Sequence, residues 1–338
     1  MKVFTLFTKI LHYLPSEFSH FVALEGLNLL NSLGILKFFF KENSYRHNLD
    51  DRDLRNHSHM VGIAAGLDKN ADYIDSLGAL GVGFVEVGTV TPKPQQGNPK
   101  PRIFRNLKEK SLLNRLGFNN KGVDHLVNNL KLKKTNVLVG TSIGKNFDTP
   151  NEKASEDYIY CMEKTYEYSD YIAINISSPN TQDLRNLSSE EFFSSLLKDL
   201  KNSQNKLSLI YGYKPIFIKI SPDESLKNLN AICKSIKEIS LDGIICSNTS
   251  IEHNDKNGSG GISGNPLKEK AIKNLIKVRE ILGTDFTIIA SGGVMSSQDY
   301  LDRINDGANF VQIYTGLIFD GPKLIVDILN LSSTSRNT

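Results

Sequence analysis

Tyr171-Ile172-Ala173-Ile174-Asn175-Ile176-Ser177-Ser178-Pro179-Asn180-Thr181 is an apolar run that breaks off into small polar residues around a proline. Its first six residues read as a buried strand, and Asn175 lies inside it. A polar group left unpaired in such a place costs on the order of 1–3 kcal/mol, so Asn175 requires partners. Taken alone, the stretch after Ile176 reads equally as an Asx or Ser turn closing a strand and as one edge of a binding site. Its setting in the chain has to decide.

From residue 59 onward, short apolar runs alternate with longer amphipathic ones. The runs 60–67, 84–90, 137–143, 171–176, 216–221, 243–248, 287–291 and 310–315 read as strands. Helical patterns fall at 70–80, 120–132, 152–168, 189–206, 224–239, 266–282 and 297–306, with an eighth at 322–331. Alternating β and α elements imply a parallel sheet, and eight units predict an α/β fold closed as a (β/α)8 TIM barrel. An open doubly wound sheet is the competing arrangement. The first turn, Ala64-Ala65-Gly66-Leu67-Asp68-Lys69, lacks the GxGxxG fingerprint, which argues against a nicotinamide-type dinucleotide site. The connections 91–119, with Pro92, Pro94, Pro99 and Pro101, and 249–265, rich in glycine, are too long for plain turns. Both fall on the C-terminal face, where barrel active sites lie.

The 338 residues are 39% hydrophobic and 23% charged, an ordinary globular composition. A net charge of +3 without a basic block gives no reason to expect nucleic acid as a partner. Cys161, Cys233 and Cys246 stand far apart and match no metal-ligand spacing, so no disulfide framework and no metal site is expected, and a reducing, cytoplasm-facing location fits.

Residues 1–41 differ from the rest. Val3, Phe4, Phe7, Ile10, Leu11 and Leu14 recur at helical spacing up to Pro15. A second amphipathic helix follows, with Ser16 as its expected N-cap, and then the apolar patch 35–40. No run reaches the roughly 18–20 apolar residues of a spanning helix, and no cleavage site marks a signal peptide. Two such helices suit a membrane interface, but from pattern alone a plain cap on the following domain is the preferred reading. Residues 42–58 are polar and read as a linker; residues 59–338 form the barrel.

On a barrel, the strand ends become a ring of polar groups: Asp68, Lys69, Thr89, Ser142, Asn175, Ser178, Asn180, Lys219, Ser247, Asn248, Thr249, Ser291-Gly292-Gly293 and Tyr314-Thr315-Gly316. Glycines after the seventh and eighth strands are where barrels bind phosphate. Lys219, flanked by Ile218 and Ile220, is a cation inside the mouth that needs an anionic partner, with Asp68 or Glu86 able to supply one.

The segments AAGLDKN (64–70), VGTVTPKPQQGNPKPRIFR (87–105), NRLGFNN (114–120), IGKN (143–146), INISSPNT (174–181), IKISPD (218–223), SNTS (247–250), GGISG (260–264), SGG (291–293) and VQIYTG (311–316), in this order, resemble the class 2 dihydroorotate dehydrogenases, which are membrane-associated and quinone-reducing. The likeness runs from about residue 15 to the end. It implies one FMN per chain, held by Ala65, Gly66, Leu67, Asp68, Lys69, Thr89, Ser142, Asn175, Lys219, Ser247, Gly264, Gly293, Tyr314 and Thr315. It implies dihydroorotate, oxidised to orotate for pyrimidine synthesis, at Lys69, Asn114, Arg115, Leu116, Gly117, Phe118, Asn175, Asn180, Asn248 and Thr249. Ser178 matches the base that takes a proton from C5 as hydride leaves C6, with Thr181 as relay and Phe118 excluding solvent. The N-terminal helices match the extension that docks on the membrane, peripherally on the cytoplasmic side, and frames a quinone tunnel, with His20 and Arg105 lining it.

Three departures from the family pattern stand out: Ser142 where asparagine is usual, Gln182-Asp183 where a small residue and glycine are usual, and Ser247 in place of threonine, which keeps the hydroxyl. Other readings are a phosphate-binding isomerase or lyase with Lys219 as a Schiff-base lysine, and an inactive membrane-associated barrel. Ser178 and the N-terminal extension disfavour a class 1 enzyme that uses fumarate or NAD.

Overall fold

The computed structural model describes residues 1–40, 51–177 and 190–335. Ser178, Asn180, Thr181 and Gln182-Asp183 lie outside the described residues. Eight strands, β1 (Met60–Ile63), β2 (Phe84–Val90), β5 (Leu138–Ile143), β6 (Tyr171–Asn175), β7 (Ile216–Ile220), β8 (Gly243–Cys246), β10 (Thr287–Ser291) and β11 (Phe310–Ile313), close into a parallel barrel. They fall within the eight expected runs, with several ending earlier where the chain leaves the ladder for the mouth. The open doubly wound sheet is excluded, because β1 pairs with both β2 and β11.

Outside the barrel pack α4 (Ile74–Gly78), α5 (Val123–Leu132), α6 (Ala154–Thr165), α7 (Glu190–Tyr211), α8 (Leu226–Ile239), α9 (Lys268–Leu282), α10 (Ser297–Asn305) and α12 (Lys323–Ser335). A short α11 (Thr315–Asp320) intervenes directly after β11. The expected helix 70–80 shrinks to α4, because Asp68 turns its carboxylate back to accept from the Asp72 and Tyr73 amides (2.9 and 2.8 Å) and holds those residues in a turn.

Alternation along the strands sorts the barrel interior into layers. Phe84, Tyr171, Phe217 and Phe310 fill the floor. Two residues further along their strands, Glu86, Lys219 and Gln312 form a polar middle layer, and Asn175 and Thr89 lie above it at the mouth. Part of the expected linker belongs to this floor. Leu54 is fully buried against the aromatic layer. Arg52 grips Asp170 with two nitrogens (2.8 and 2.5 Å), and Arg55 pairs with Asp242 at 2.8 Å. The polar composition of 51–58 reflects these ion pairs at the barrel's lower rim, not a free tether.

The long connections carry structure that the sequence reading missed. β3 (Ile103–Asn106), β4 (Ser111–Asn114) and β9 (Gly261–Gly264) form an antiparallel sheet over the mouth, joining residues about 150 positions apart. Four-residue strands among prolines and glycines leave too few alternations to be recognised.

The N-terminal segment forms α1 (Lys2–Leu11), α2 (Ser16–Ser32) and α3 (Leu36–Phe39). Pro15, not Ser16, occupies the cap position of α2, and Ser16 is its first helical residue. Glu17 accepts from Arg102 Nε (2.7 Å), Glu25 from Tyr73 Oη (2.6 Å), and Leu11 O from Arg105 Nη1 (3.2 Å). The opposite faces of α1–α3 leave Leu6, Ile10, Phe18, Phe21 and Phe38 exposed. No helix among the described residues is long and apolar enough to cross a membrane.

Candidate active site

The turn after β1 builds one wall of the mouth. Gly66, at φ +100°, reverses the chain, and its amide donates to Gly88 O (2.7 Å) while Gly88 N donates to Asp68 O (3.0 Å). The Lys69 ammonium bonds Gly66 O at 2.8 Å and faces the cavity. Burial, and next the nearby Arg102 charge, lower its pKa to about 8.

A buried hydrogen-bond chain crosses the floor of the mouth. Ser142 Oγ and Thr89 Oγ1 are 2.9 Å apart, and Asn175 Nδ2 donates to Thr89 Oγ1 at 2.8 Å. Ser177 donates through both N and Oγ to Asn175 Oδ1 (3.2 Å each), and Asn248 Nδ2 donates to Ser177 Oγ (3.1 Å). Asn175 therefore has the partners its burial demands. Below this chain, the fully buried Glu86 carboxylate accepts from Lys219 Nζ (3.2 Å), Tyr171 Oη (3.1 Å) and Gln312 Nε2 (2.7 Å). Of the two carboxylates expected to serve Lys219, Glu86 does so. Burial, and next the Glu86 charge, push the Tyr171 phenol well above its ordinary range, which keeps it a donor.

The same cavity is lined by Ala65, Gly66, Lys69, Thr89, Asn114, Leu116, Gly117, Phe118, Asn175, Lys219, Ser247, Asn248, Thr249, Gly293, Tyr314 and Thr315. Five expected contacts are placed elsewhere, among them Gly264, which pairs with Ser111 in the β4–β9 ladder and does not line the cavity. Arg115 turns outward, donating to Ser259 O and Asn257 O (3.0 and 2.7 Å) with its guanidinium over the Phe104 ring. Asp68 is committed to the Asp72 and Tyr73 amides, and Leu67 faces a different cavity. Ser142 is fully buried behind Thr89, so its shorter side chain acts on the cavity through the Thr89 hydroxyl. Gln312 and Ser263 also line the cavity and escaped the sequence reading; Gln312 could have been found two residues below Tyr314 on the same strand face.

The residues present suit a flavin mononucleotide. Gln312 Oε1 is buried, without a partner, on a side chain that lines the cavity. Gly292 and Gly293 present backbone to the cavity; Gly293 (φ +69°) must be glycine because the chain itself presses on it, a Cβ there coming within 2.4 Å of Lys268 Cα. Bare amides, the Ser263 and Thr315 hydroxyls (2.8 Å apart) and the amide and cationic groups deeper in the mouth suit a phosphate joined to a heterocycle with donor and acceptor edges.

A second cavity of about 560 Å³ lies between α1–α2 and the barrel. Its walls are largely apolar, including Phe4, Leu24, Leu27 and Leu317, with Tyr314 shared between the two cavities. His20 and Arg105 are among its few polar groups. Arg105 Nε is buried without a partner, and burial lowers the His20 pKa to about 4, which leaves the imidazole neutral.

The family model for dihydroorotate dehydrogenase matches residues 51–332. A dihydroorotate dehydrogenase (quinone) of Vibrio parahaemolyticus is 43% identical over 327 residues, covering 94% of this chain and 96% of the relative. One from Coxiella burnetii is 47% identical over 285 residues, 82% of each chain. A crystal structure of DHODH in complex with ferulenol from Eimeria tenella superposes with a TM-score of 0.81 at 31% identity, covering 95% of this chain and 91% of that one.

Proposed function

From the premise that this chain belongs to the dihydroorotate dehydrogenase family, we propose that it oxidises (S)-dihydroorotate to orotate and passes the electrons to a membrane quinone. The observation that carries this reading is the pair of cavities sharing Tyr314. One is polar and suited to an anionic ureide beside a flavin; the other is apolar and framed by the N-terminal helices. FMN would be held by the cavity residues Lys69, Thr89, Asn175, Lys219, Gly293 and Thr315, and would supply a two-electron acceptor between dihydroorotate and the quinone.

The chain's own residues do the rest. Asn114, Asn175 and Asn248 offer amide donors and acceptors that match a cyclic ureide, and Lys69 supplies the cation for its carboxylate. Ser178 removes the C5 proton, with Thr181 and a water as relay, and Phe118, mostly buried at the cavity wall, excludes solvent. The choice of Ser178 over Ser177 is supported by the commitments of Ser177, whose hydroxyl donates to Asn175 and accepts from Asn248. A free serine hydroxyl is a weak base at neutral pH, so the site must stabilise the charge that develops as the proton leaves. The exposed apolar faces of α1–α3 sit on the membrane surface on the cytoplasmic side. The quinone enters between them, and the unpaired Arg105 Nε–H and neutral His20 meet its carbonyl groups. The Schiff-base reading of Lys219 is disfavoured by its ion pair with Glu86.

The test is dihydroorotate-dependent dye reduction with and without added quinone, alongside the flavin absorption spectrum. A colourless protein without turnover would overturn the reading. The Ser178→Ala variant is expected to keep its flavin and lose most turnover, and near-normal turnover would remove Ser178 from the mechanism.

A further inference from the structure

Arg303, on α10, is fully buried, yet its guanidinium forms no ion pair among the described residues. Asp299, Asp302 and Asp306 are near enough to act on its charge, but Asp299 is occupied by Lys268 Nζ and the Met295 amide. Arg303 Nη2 donates to Gly292 O (3.1 Å) and Lys268 O (3.3 Å), while Nε and Nη1 have no partner. A buried cation with no carboxylate in direct contact is only partly compensated by acids at a distance, and an anion bound nearby would lower that cost.

Its position indicates where that anion binds. Gly292 and Gly293 line the polar cavity, and Arg303 holds the Gly292 carbonyl from the helix side. The Gly292–Gly293 peptide is trans, so its carbonyl and the Gly293 N–H point in opposite directions. A carbonyl drawn back toward Arg303 therefore turns the Gly293 N–H toward the cavity. The second carbonyl that Arg303 holds belongs to Lys268, whose backbone lies against Gly293 so closely that a Cβ would collide with it.

We propose that Arg303 is a positioning residue for the cofactor's phosphate: it fixes the Gly292–Gly293 peptide with its amide directed at the phosphate, and its charge, one peptide behind the cradle, balances the dianion. This rests on the flavin reading given above. Across one peptide, at an effective dielectric constant of about 20, the attraction corresponds to roughly tenfold or more in affinity for the phosphorylated ligand.

The experiment compares FMN with riboflavin, which lacks the phosphate, by equilibrium dialysis against purified wild type, Arg303→Met and Arg303→Lys. Arg303→Met is expected to weaken FMN roughly tenfold or more and leave riboflavin unchanged, with Arg303→Lys recovering most of the loss. Equal losses for both flavins would mean a packing role and overturn the proposal, as would unchanged FMN affinity. Should Arg303→Met not fold, the phosphorus NMR resonance of FMN bound to Arg303→Lys decides: it must move from its wild-type position while the visible flavin spectrum stays the same, and an unmoved resonance refutes the role. Wild-type protein that binds neither flavin would instead refute the flavin reading itself, and this proposal with it.

Discussion

Lys219→Met tests the polar middle layer of the barrel. Glu86 is fully buried and accepts from three groups, Lys219, Tyr171 and Gln312, of which only Lys219 carries charge. Removing the ammonium leaves a carboxylate in the barrel with two neutral donors. Breaking a buried pair on one side costs about 3–5 kcal/mol, which is roughly two to four powers of ten in the folding equilibrium. Adding Glu86→Gln removes the stranded charge, so the double variant is expected to recover most of that stability. Flavin affinity is a separate readout, because Lys219 also faces the cavity, and it should stay low in the single and the double variant alike. Urea unfolding at pH 7, with flavin retention measured by absorbance, follows both quantities. Unfolding of Lys219→Met at the wild-type midpoint, or no recovery on adding Glu86→Gln, would refute a charge-coupled middle layer.

Leu54→Ala is expected to cost about 2–5 kcal/mol by opening a hole under the aromatic floor, with turnover per folded molecule unchanged; urea midpoints and specific activity check it. Removing residues 1–40 should abolish quinone reduction and vesicle binding while dye reduction by dihydroorotate persists, and full quinone activity in the truncated protein would refute the tunnel. The pKa of Lys69 is lowered to about 8, so its charge is present below that pH and lost above it. Orotate affinity should therefore decline above pH 8, by at most tenfold per unit, and the decline should vanish in Lys69→Met when titrated by flavin absorbance. Arg105→Met is expected to raise the KM for quinone with little change in the KM for dihydroorotate, as steady-state assays would show.

The barrel was legible because its eight strands are short apolar runs separated by amphipathic helices, and that alternation survives in composition alone. The mouth was legible because asparagines, lysines and glycines there interrupt apolar strands, where they cost stability unless used. Three things were hidden, each for a physical reason. The sheet of β3, β4 and β9 depends on pairing between residues about 150 positions apart, which no local pattern announces. The barrel floor reads as linker because Arg52 and Arg55 look like surface charges until Asp170 and Asp242 are brought to them. Arg115 follows Asn114 in a matching motif, but neighbours on an extended chain point to opposite faces, and Arg115 holds the Asn257 and Ser259 carbonyls away from the cavity.

The departure at Ser142 also changes meaning once the chain is folded. An asparagine there could reach past Thr89, whereas the serine stops at the Thr89 hydroxyl. Thr89 Oγ1 already accepts from Asn175 Nδ2, so its single proton either goes to Ser142 or, if Ser142 donates, remains free for the cavity. The serine thereby makes the Thr89 proton a shared one, and the same Asn175 passes the coupling through Ser177 to Asn248. On the reading proposed above, a ligand that draws the Thr89 proton into the cavity turns the Ser142 hydroxyl around, and one chain of five side chains joins the flavin end of the mouth to the substrate end. A Ser142→Ala variant removes the acceptor that competes for the Thr89 proton and leaves that proton on the cavity side, so its effect should fall on flavin and substrate affinity together, not on either alone.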